Sequence, residues 1–535
     1  MKKLISLAAL TAMVLTLFVP AMGVSAARPD RGDANADGDV NMKDVLVDRK
    51  YVADMESNVD FEAGDCNGDE EINMKDVLLL RKYVAGLDAT FAAYATDDYS
   101  PYHLKTLAQE QVVLSFYNED ASDLAVTWHT TRKNYRPVAQ VVKVMNGAPV
   151  DFANAIEFAA TTEEFRDLAT LYDSESNGFE IISKIGYKDQ IDYTHRAILS
   201  GLEPSTTYAY RVGDGAKKFW SDTYTFTTRP ETVEDFSFVW MSDTQVTDTR
   251  DQTAAHFMND AFKGASEIDP DFSFVLHGGD VVQTSHYLHQ WQMMLNGNEE
   301  YLAQYPVMMA TGNHDASNDT AGDYEIYKHM TFNLPEPNSK KSYGTYYSFD
   351  YGDAHFICLD TCYGDGIRSA NIDNEQKTWL QEDLQNTTKK WKIVMMHVPI
   401  VSYKNINSSS LTRLFAENGV DLVLQGDEHV YLRSQPINDR NKPVKDTELR
   451  TVDGVKYYVN PAGAIFTQAA TAGDSQQNIN SASVNPVNLA TQGNGRQSSW
   501  ANISIKGNTL TMQTYYYNNG NIQMYTDGSW GIIKE

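Results

Sequence analysis

From residue 236 onwards, short apolar runs of strand length end abruptly in polar residues whose side chains can bind metal ions. The runs are 236–241, 272–276, 307–309, 393–396 and 420–424. The polar residues that follow them are, in chain order, Asp243, Gln245, Asp280, Asn313, His314, His397, Asp427 and His429. Apolar runs of this length are typical of buried strands. Because helical stretches separate them, we expect an α/β layered domain over residues 230–535, closed by strands at 500–517.

The loops after these strands are expected to meet at one place. In α/β folds, ligands bind beyond the carboxyl ends of the strands. A single aspartate after a strand is usually a turn or helix-capping residue. Five such loops that converge can instead build one site, so the pattern predicts a cluster of oxygen and imidazole ligands.

Residues 109–229 have a different pattern, in which short β-rich runs alternate with turn residues. The runs are 112–116, 124–128, 207–212 and 223–228, and they predict an all-β sandwich. We interpret residues 151–180 as a partly helical insertion, and residues 91–108 as a linker. The sandwich shows no candidate chemistry, so we expect it to pack against the domain that follows.

Near the start of the chain, a 12-residue acidic segment occurs twice, at 33–44 and 65–76. Oxygen side chains stand at loop positions 1, 3, 5, 9 and 12, and position 7 offers a backbone carbonyl, as calcium prefers. The predicted calcium ligands are Asp33, Asn35, Asp37, Asp39, Asn41 and Asp44, and then Asp65, Asn67, Asp69, Glu71, Asn73 and Asp76. Each loop leads into a helix, and no helix is predicted before either loop.

Residues 1–26 have the pattern of a cleaved signal peptide. Lys2 and Lys3 precede an apolar stretch at 4–19, and the small residues 24–26 offer a cleavage site. A membrane anchor is the alternative, but the stretch is short and Pro20 interrupts it. We therefore expect a secreted, extracellular protein with no membrane attachment after cleavage.

The charge of the chain limits its possible partners, and its cysteine content limits its possible disulfides. Cleavage would remove two lysines and no acid, changing the formal charge from −28 to −30. A chain this acidic is not expected to bind nucleic acid, which requires cationic neutralisation. Three cysteines do not make a disulfide framework. Cys358 and Cys362 could form one bridge, or could be a buried residue and its loop neighbour.

The repeated calcium loops, over residues 31–87, resemble a type I dockerin, and we place this small all-α domain at 27–90. The resemblance implies that the pair folds on binding two Ca²⁺ ions and docks to a cohesin module of a scaffold protein in a multienzyme complex. The family's contact positions fall on Met42, Lys43, Arg49 and Lys50, and on Met74, Lys75, Arg81 and Lys82. Because the two copies are near-identical, the resemblance predicts binding in either of two orientations.

Residues 230–470 resemble the calcineurin-like metallophosphoesterases, which have an αββα-type fold. Residues 109–229 resemble the fibronectin type III-like N-terminal domain of purple acid phosphatases. The resemblance implies two divalent metal ions that hydrolyse a phosphate ester. Asp243 and His429 would bind the first ion, Asp280 would bridge, and Asn313 and His397 would bind the second. His314 would face the substrate and protonate the leaving group or stabilise its charge.

The sequence departs from that family in ways that affect the metal. Gln245 and Asp427 stand where the family has histidines, and Gln283 replaces the tyrosine of the purple members. Both replacements at the metal ligands still offer oxygen, so we expect Mn²⁺, Fe²⁺ or Mg²⁺ to be favoured over Zn²⁺. If zinc is present instead, His277 or His286 would be the missing ligand.

Two other functions compete with phosphate-ester hydrolysis. One is a non-catalytic, scaffold-bound binding protein with a degenerate metal site, which the residues at 245 and 427 favour. The other is carbohydrate hydrolysis, which is suggested only by the kind of enzyme that usually carries a dockerin. No pair of carboxylates can be assigned to that reaction from the sequence.

Overall fold

The computed structural model describes residues 29–55, 57–69, 71–94, 104–105, 108–145, 148–167, 190–246, 253–285, 288–316, 325–331, 345–362, 370–407, 410–473, 488–492, 498–518 and 520–535. The predicted signal peptide at 1–26 lies outside these residues. No helix within the described ranges is both long and apolar enough to cross a bilayer.

The N-terminal part of the chain is mostly helical, and the part that follows it consists of strands. The N-terminal part contains α1 (Met42–Val52), β1 (Val59–Asp60), α2 (Phe61–Gly64), α3 (Met74–Val84) and β2 (Leu104–Lys105). The β-rich part contains β3 (Glu110–Phe116), β4 (Leu124–Thr130), β5 (Pro137–Lys143), β6 (Ile156–Asp167), β7 (Gln190–Leu199), β8 (Thr207–Asp214), β9 (Phe219–Trp220) and β10 (Tyr224–Thr227).

The C-terminal part begins with β11 (Asp235–Met241), α4 (Thr253–Ile268), β12 (Val275–His277), α5 (Leu288–Leu302), β13 (Val307–Met309), α6 (Glu325–Met330), β14 (Tyr347–Tyr351), β15 (Ala354–Leu359), α7 (Asn374–Asn386) and β16 (Trp391–Met396). It continues with α8 (Leu411–Glu417), β17 (Leu422–Gln425), β18 (Tyr431–Ser434), β19 (Glu448–Val452), β20 (Val455–Val459), β21 (Ile465–Ala469), β22 (Asn488–Gln492), β23 (Ser499–Lys506), β24 (Thr509–Asn518) and β25 (Asn521–Ile533).

The two helices that follow the calcium loops begin in the same way. Asn41 accepts a hydrogen bond from the backbone of Lys43, and the Asp44 side chain accepts one from the backbone of Asn41 at 2.7 Å. Asn73 and Asp76 repeat this reciprocal cap at α3. Such capping boxes satisfy backbone donors at the first turn. The helical turn α2 precedes the second loop, so the expectation of no helix there is wrong by one turn.

The β-rich domain is a continuous run of strands in the order β10-β8-β5-β6-β7-β4-β3, with β9 paired to β8. Its long strand β6 pairs with β5 through Ile156–Ala159 and with β7 through Ala160–Asp167. The prediction of a partly helical insertion is therefore wrong for 156–167, where only the preceding short turn Phe152–Asn154 is helical. Alanine and glutamate favour helix locally, but pairing on both sides overrides that preference. Residues 168–189 lie outside the described ranges.

The C-terminal domain is built from two facing sheets with helices outside them. One sheet has the order β13-β12-β11-β23-β24-β25-β20-β19 and the other the order β14-β15-β16-β17-β21-β18-β22. Side chains alternate along each strand: Phe238 and Phe274 pack between the sheets, whereas Val239 and Val275 pack against α4 and α5. Helices α7 and α8 cover the second sheet in the same way. The predicted strands at 500–517 lie in the middle of the first sheet, where β23 pairs with β11 and β24.

The β-rich domain and the C-terminal domain share one apolar core. Phe116 of β3 lies 5.4 Å from the ring of Phe274 and 5.5 Å from that of Phe349. The Tyr210 hydroxyl donates to the carbonyl of Ala303 at 2.6 Å. These contacts agree with the expectation that the β-rich domain packs against its neighbour. Cys66, Cys358 and Cys362 are buried free thiols, so Cys358 and Cys362 are not bridged.

Candidate metal centre

The predicted ligand residues come together at the carboxyl ends of strands from both sheets. Two groups of side chains could each hold a metal ion. Their members, whose ligand atoms lie within 4.8 Å of one another, are Asp243, Asp280 and His429 in one group, and Asp280, His397 and Asp427 in the other. Asp280 belongs to both groups, so its two carboxylate oxygens can serve two neighbouring ions.

The distances within this cluster are short and the side chains are buried. His397 Nε2 lies 3.2 Å from Asp280 Oδ2 and 3.9 Å from Asp427 Oδ1. His429 Nε2 lies 3.4 Å from Asp243 Oδ1. Asp243 and His397 are fully buried, and Asp280 is 1% exposed. Carboxylates held together away from water must be neutralised, either by a proton or by a nearby cation.

The ring of His397 is oriented for a cation. Its Nδ1–H donates to the carbonyl of Gly278 at 2.8 Å, which turns Nε2 toward the carboxylates. A backbone carbonyl that fixes the other ring nitrogen is the usual support for a metal-binding histidine. Burial opposes the charged ring, but Asp280, Asp243 and Asp427 raise the pKa of His397 well above its ordinary value. The same negative field would attract a metal ion.

Asn313 and Gln245 stand at the edges of the cluster. The buried Asn313 Oδ1 has no hydrogen-bond partner among the described residues, although a buried carbonyl normally has one. Gln245 donates its amide to Asp280 Oδ2 at 3.0 Å, so its side chain reaches the shared carboxylate. Rotating that amide by half a turn would present its oxygen instead. Together, these oxygen and nitrogen donors suit two divalent ions.

His314 lies beside the cluster, half-buried. Its backbone N–H donates to Asp280 Oδ1 at 2.8 Å. Its ring Nδ1 lies 2.8 Å from the carbonyl of Gln283 and 3.0 Å from the Gln283 amide nitrogen. The carbonyl accepts only from a protonated Nδ1, whereas the amide nitrogen donates only to an unprotonated Nδ1, so Gln283 engages Nδ1 in either tautomer and leaves Nε2 free of that contact. The ring is therefore held in a fixed orientation next to the shared aspartate.

Two carboxylates that were not among the predicted site residues hold the ligand loops in place through hydrogen bonds. Asp315 is fully buried and accepts backbone hydrogen bonds from Val281 at 2.9 Å and Gly312 at 2.9 Å, which ties two ligand loops together. Glu428 accepts from the backbone of Tyr403 at 2.9 Å and from the Ser402 hydroxyl at 2.5 Å. Asp315 could have been noticed as the last residue of the Gly-Asn-His-Asp segment.

The backbone at the cluster adopts a conformation that the sequence does not show. The φ angle is +57° at Asp243, +41° at Gln245, +51° at Asp280, +73° at Asp427 and +52° at His429. Residues other than glycine seldom occupy this left-handed region, and each costs on the order of 1 kcal/mol. Its repetition at five site residues indicates that the surrounding fold fixes the ligand loops.

The other histidines near the site have different environments. His277 accepts from the backbone of Gly279 at Nδ1, and its Nε2 lies 2.6 Å from the Thr244 hydroxyl. Burial lowers the pKa of His277 to about 4, so the ring is neutral and both nitrogens are used within the protein. His277 lies outside both candidate metal groups. His286 lies outside the described residues.

In the N-terminal domain, the first and last carboxylates of each predicted calcium loop accept hydrogen bonds from the backbone of that loop. Asp33 accepts from Gly38 at 2.9 Å, and Asp44 accepts from Asn35 at 3.1 Å. In the second loop, Asp76 accepts from Asn67 in the same way, and Asp65 accepts from Gly68 at 2.8 Å. Met42 and Met74 are 57% and 59% exposed, and one turn further along, Leu46 and Leu78 are 53% and 51% exposed. These two leucines are not among the residues of the predicted docking faces.

Family comparisons place each part of the chain. Residues 31–85 match the type I dockerin domain, residues 109–228 the purple acid phosphatase N-terminal domain, and residues 236–431 the calcineurin-like phosphoesterases. The chain is therefore similar, part by part, to a type I dockerin followed by the two domains of purple acid phosphatases.

Individual relatives are distant. An uncharacterised protein of Mycobacterium tuberculosis (strain H37Rv) is 26% identical in an alignment of 382 positions that covers 64% of this chain and 66% of that protein. Purple acid phosphatase 23 of Arabidopsis thaliana is 26% identical over 283 residues, 45% of this chain and 58% of the relative. The chain thus spans less than two thirds of either relative. The structure of the purple acid phosphatase PPD1 from yellow lupin seeds shares the fold, with a TM-score of 0.63 and 18% identity over 81% of this chain and 75% of that one.

Proposed function

We propose that this protein hydrolyses phosphate esters outside the cell, using two divalent metal ions, while its calcium-loaded dockerin attaches it to a cohesin module of a scaffold. The observation that carries the proposal is the position of Asp280 in both candidate metal groups. The ligands would be Asp243, Gln245, Asp280, Asn313, His397, Asp427 and His429. The dockerin match and the N-terminal signal-like stretch support an extracellular multienzyme complex.

The chemistry divides between the ions and the side chains. Two divalent ions clamp a phosphoryl group and acidify bound water. Asp280 would hold both ions, and His397, fixed by Gly278, would orient toward the second. His314 would carry a proton at Nε2 and give it to the leaving oxygen, because its Nδ1 is engaged by Gln283.

Replacing His314 with alanine is expected to lower turnover of an aryl phosphate by a factor of about 10²–10⁴, the usual contribution of a general acid. Metal content should hardly change, because His314 is not proposed as a ligand. Turnover would be measured on aryl phosphate mono- and diesters with Mn²⁺, Fe²⁺, Zn²⁺ and Mg²⁺, alongside metal analysis. His256→Ala, which removes an exposed ring from α4, is the matched control. Loss of both metals in His314→Ala would show that the assigned role is wrong.

The choice of metal should follow from Asp427. Its carboxylate adds negative charge beside His397, and oxygen-rich sites favour harder ions. We expect the strongest activity with Mn²⁺, weak activity with Zn²⁺, and an optimum at neutral to mildly alkaline pH. Asp427→His, which restores the family's residue, should shift the preference toward Zn²⁺. A wild-type protein that is loaded with zinc and indifferent to Mn²⁺ would contradict this assignment.

A non-catalytic binding protein is the second candidate, because Gln245 and Asp427 depart from the family's ligands. It predicts that the wild type binds metal but turns over no aryl phosphate with any of the four ions. The phosphoesterase proposal predicts turnover with at least one of them.

A further inference from the structure

The dockerin contacts the β-rich domain at Asp54, just beyond the end of α1. Arg132 approaches Asp54 Oδ1 to 2.8 Å. The Lys217 ammonium and the Tyr135 hydroxyl approach Asp54 Oδ2 to 2.9 Å and 3.0 Å. All three partners belong to the β-rich domain, so a single carboxylate contacts residues that lie 78 to 163 positions further along the chain.

The geometry indicates a formed interface rather than a loose surface pair. The Asp54 and Arg132 side chains are only 18% and 16% exposed. The Arg132 guanidinium also lies over the ring of Tyr51, 3.9 Å from its centroid. A mostly buried charge with several partners becomes costly when one partner is removed, and stacking on an aromatic ring adds to the attraction. We call this set of contacts, made by Tyr51, Asp54, Arg132, Tyr135 and Lys217, the Asp54 clamp.

The clamp breaks the symmetry of the dockerin repeat. The position equivalent to Asp54 in the second copy is Gly86, which has no side chain to make such contacts. Lys82 and Tyr83 of the second copy are exposed, whereas their counterparts Lys50 and Tyr51 are half-buried. Lys50 belongs to the predicted cohesin-binding face of the first copy. At the clamped end of α1, Lys50 is therefore less accessible than its counterpart Lys82.

Calcium is coupled to the clamp through α1. This helix begins beside Asp44, the last predicted ligand of the first loop, whose carboxylate accepts from Asn35 and Asn41. If the loop closes only around calcium, α1 forms only with calcium, and the clamp forms with it. Linkage requires the converse as well, so the clamp should tighten calcium binding in the first loop.

We propose that calcium clamps the first dockerin repeat to the β-rich domain through Asp54, so that the intact chain presents the second repeat to cohesin. The second face comprises Met74, Lys75, Arg81 and Lys82. This inference rests on the proposed docking function. In the intact chain, the clamp would make one of the two binding orientations the preferred one.

Small-angle X-ray scattering of the full chain tests the clamp without any cohesin. Asp54→Ala should increase the maximum dimension of the calcium-loaded protein, and removing calcium from the wild type should do the same. Asp88→Ala, at an exposed carboxylate after the second repeat, is the control and should leave the dimension unchanged. Equal dimensions for the wild type and Asp54→Ala would overturn the clamp.

Binding to a panel of purified type I cohesin modules tests the preferred face. In the full chain, Met74→Ala/Arg81→Ala should weaken binding at least about tenfold, and Met42→Ala/Arg49→Ala less than about threefold. In an Asp54→Ala background, each pair should weaken binding less than about threefold. Equal losses in the wild-type background, or a preference that survives Asp54→Ala, would overturn the inference. If no cohesin binds the wild type, the docking part of the proposed function and the face preference both fail, while scattering still decides the clamp.

Discussion

Replacing Asp280 with asparagine is expected to release both metal ions and to lower phosphate-ester turnover by a factor on the order of 10⁴ or more, because the ions carry most of the chemistry. Asparagine has nearly the same shape and tolerates the left-handed backbone, with φ at +51°, that this position requires. It lacks the negative charge and the second carboxylate oxygen. The substitution therefore tests bridging by a carboxylate with little change in the fold.

Metal content per chain and turnover of an aryl phosphate would be measured together for Asp280→Asn. Asp271→Asn is the matched control, since Asp271 is exposed near the opposite end of the same strand, β12. It should keep both ions and full activity. An Asp280→Asn protein that retains two ions would show that Asp280 does not bridge them.

Replacing Asp48 with leucine is expected to stabilise the dockerin by about 2–4 kcal/mol at pH 7. Asp48 is fully buried, and neither of its oxygens has a hydrogen-bond partner among the described residues. Burial, followed by the charges of Asp76, Asp44 and Asp65, raises its pKa from 3.8 to about 8. The folded form therefore binds a proton that the unfolded chain releases, so this group's contribution is fully present below pH 3.8 and is lost as the pH rises toward 8. From pH 3.8 to pH 7 the stability lost is at most about 1.36 kcal/mol for each of about three pH units. Bound calcium should reduce this loss.

Hydrogen exchange of the α1 and α3 amides in the full chain measures this effect, because it reports local unfolding. Asp48→Leu should exchange more slowly, and the decline in protection with rising pH should flatten. The repeat supplies the matched variant, since Leu80 occupies the equivalent buried position of the second copy. Leu80→Asp should therefore destabilise the domain. Faster exchange in Asp48→Leu than in the wild type would contradict the prediction, because it would show that the carboxylate stabilises the folded dockerin.

The strands and most of the candidate ligands could be predicted because their signals are local. An apolar run that ends in Asp or His is visible in about ten residues, and parallel strands bring such ends to one edge. The contacts by which the supporting residues hold the site could not be found in this way. Asp315 joins backbone groups of two separate loops, and the left-handed angles at Asp243 and Asp427 depend on the surrounding fold.

The errors also have physical causes. Strand β6 contains alanine and glutamate, whose local preference for helix is overridden by pairing with β5 and β7. Asp48 could have been found from the sequence, because aligning the two dockerin copies places it opposite Leu80. The Asp54 clamp could not, because its partners Arg132 and Lys217 are distant in the sequence.

The apolar core shared by the β-rich domain and the phosphoesterase domain determines how this protein can be divided. Phe116, Phe274 and Phe349 pack together across that boundary, so a cut between the two domains would expose aromatic surface on both fragments. They should unfold in one cooperative transition and should be transferred as one cassette in chimaeric enzymes. The dockerin has a separate small core around Val45, Val77 and Leu80, so it is the part that can be exchanged while the shared core of the cassette stays intact.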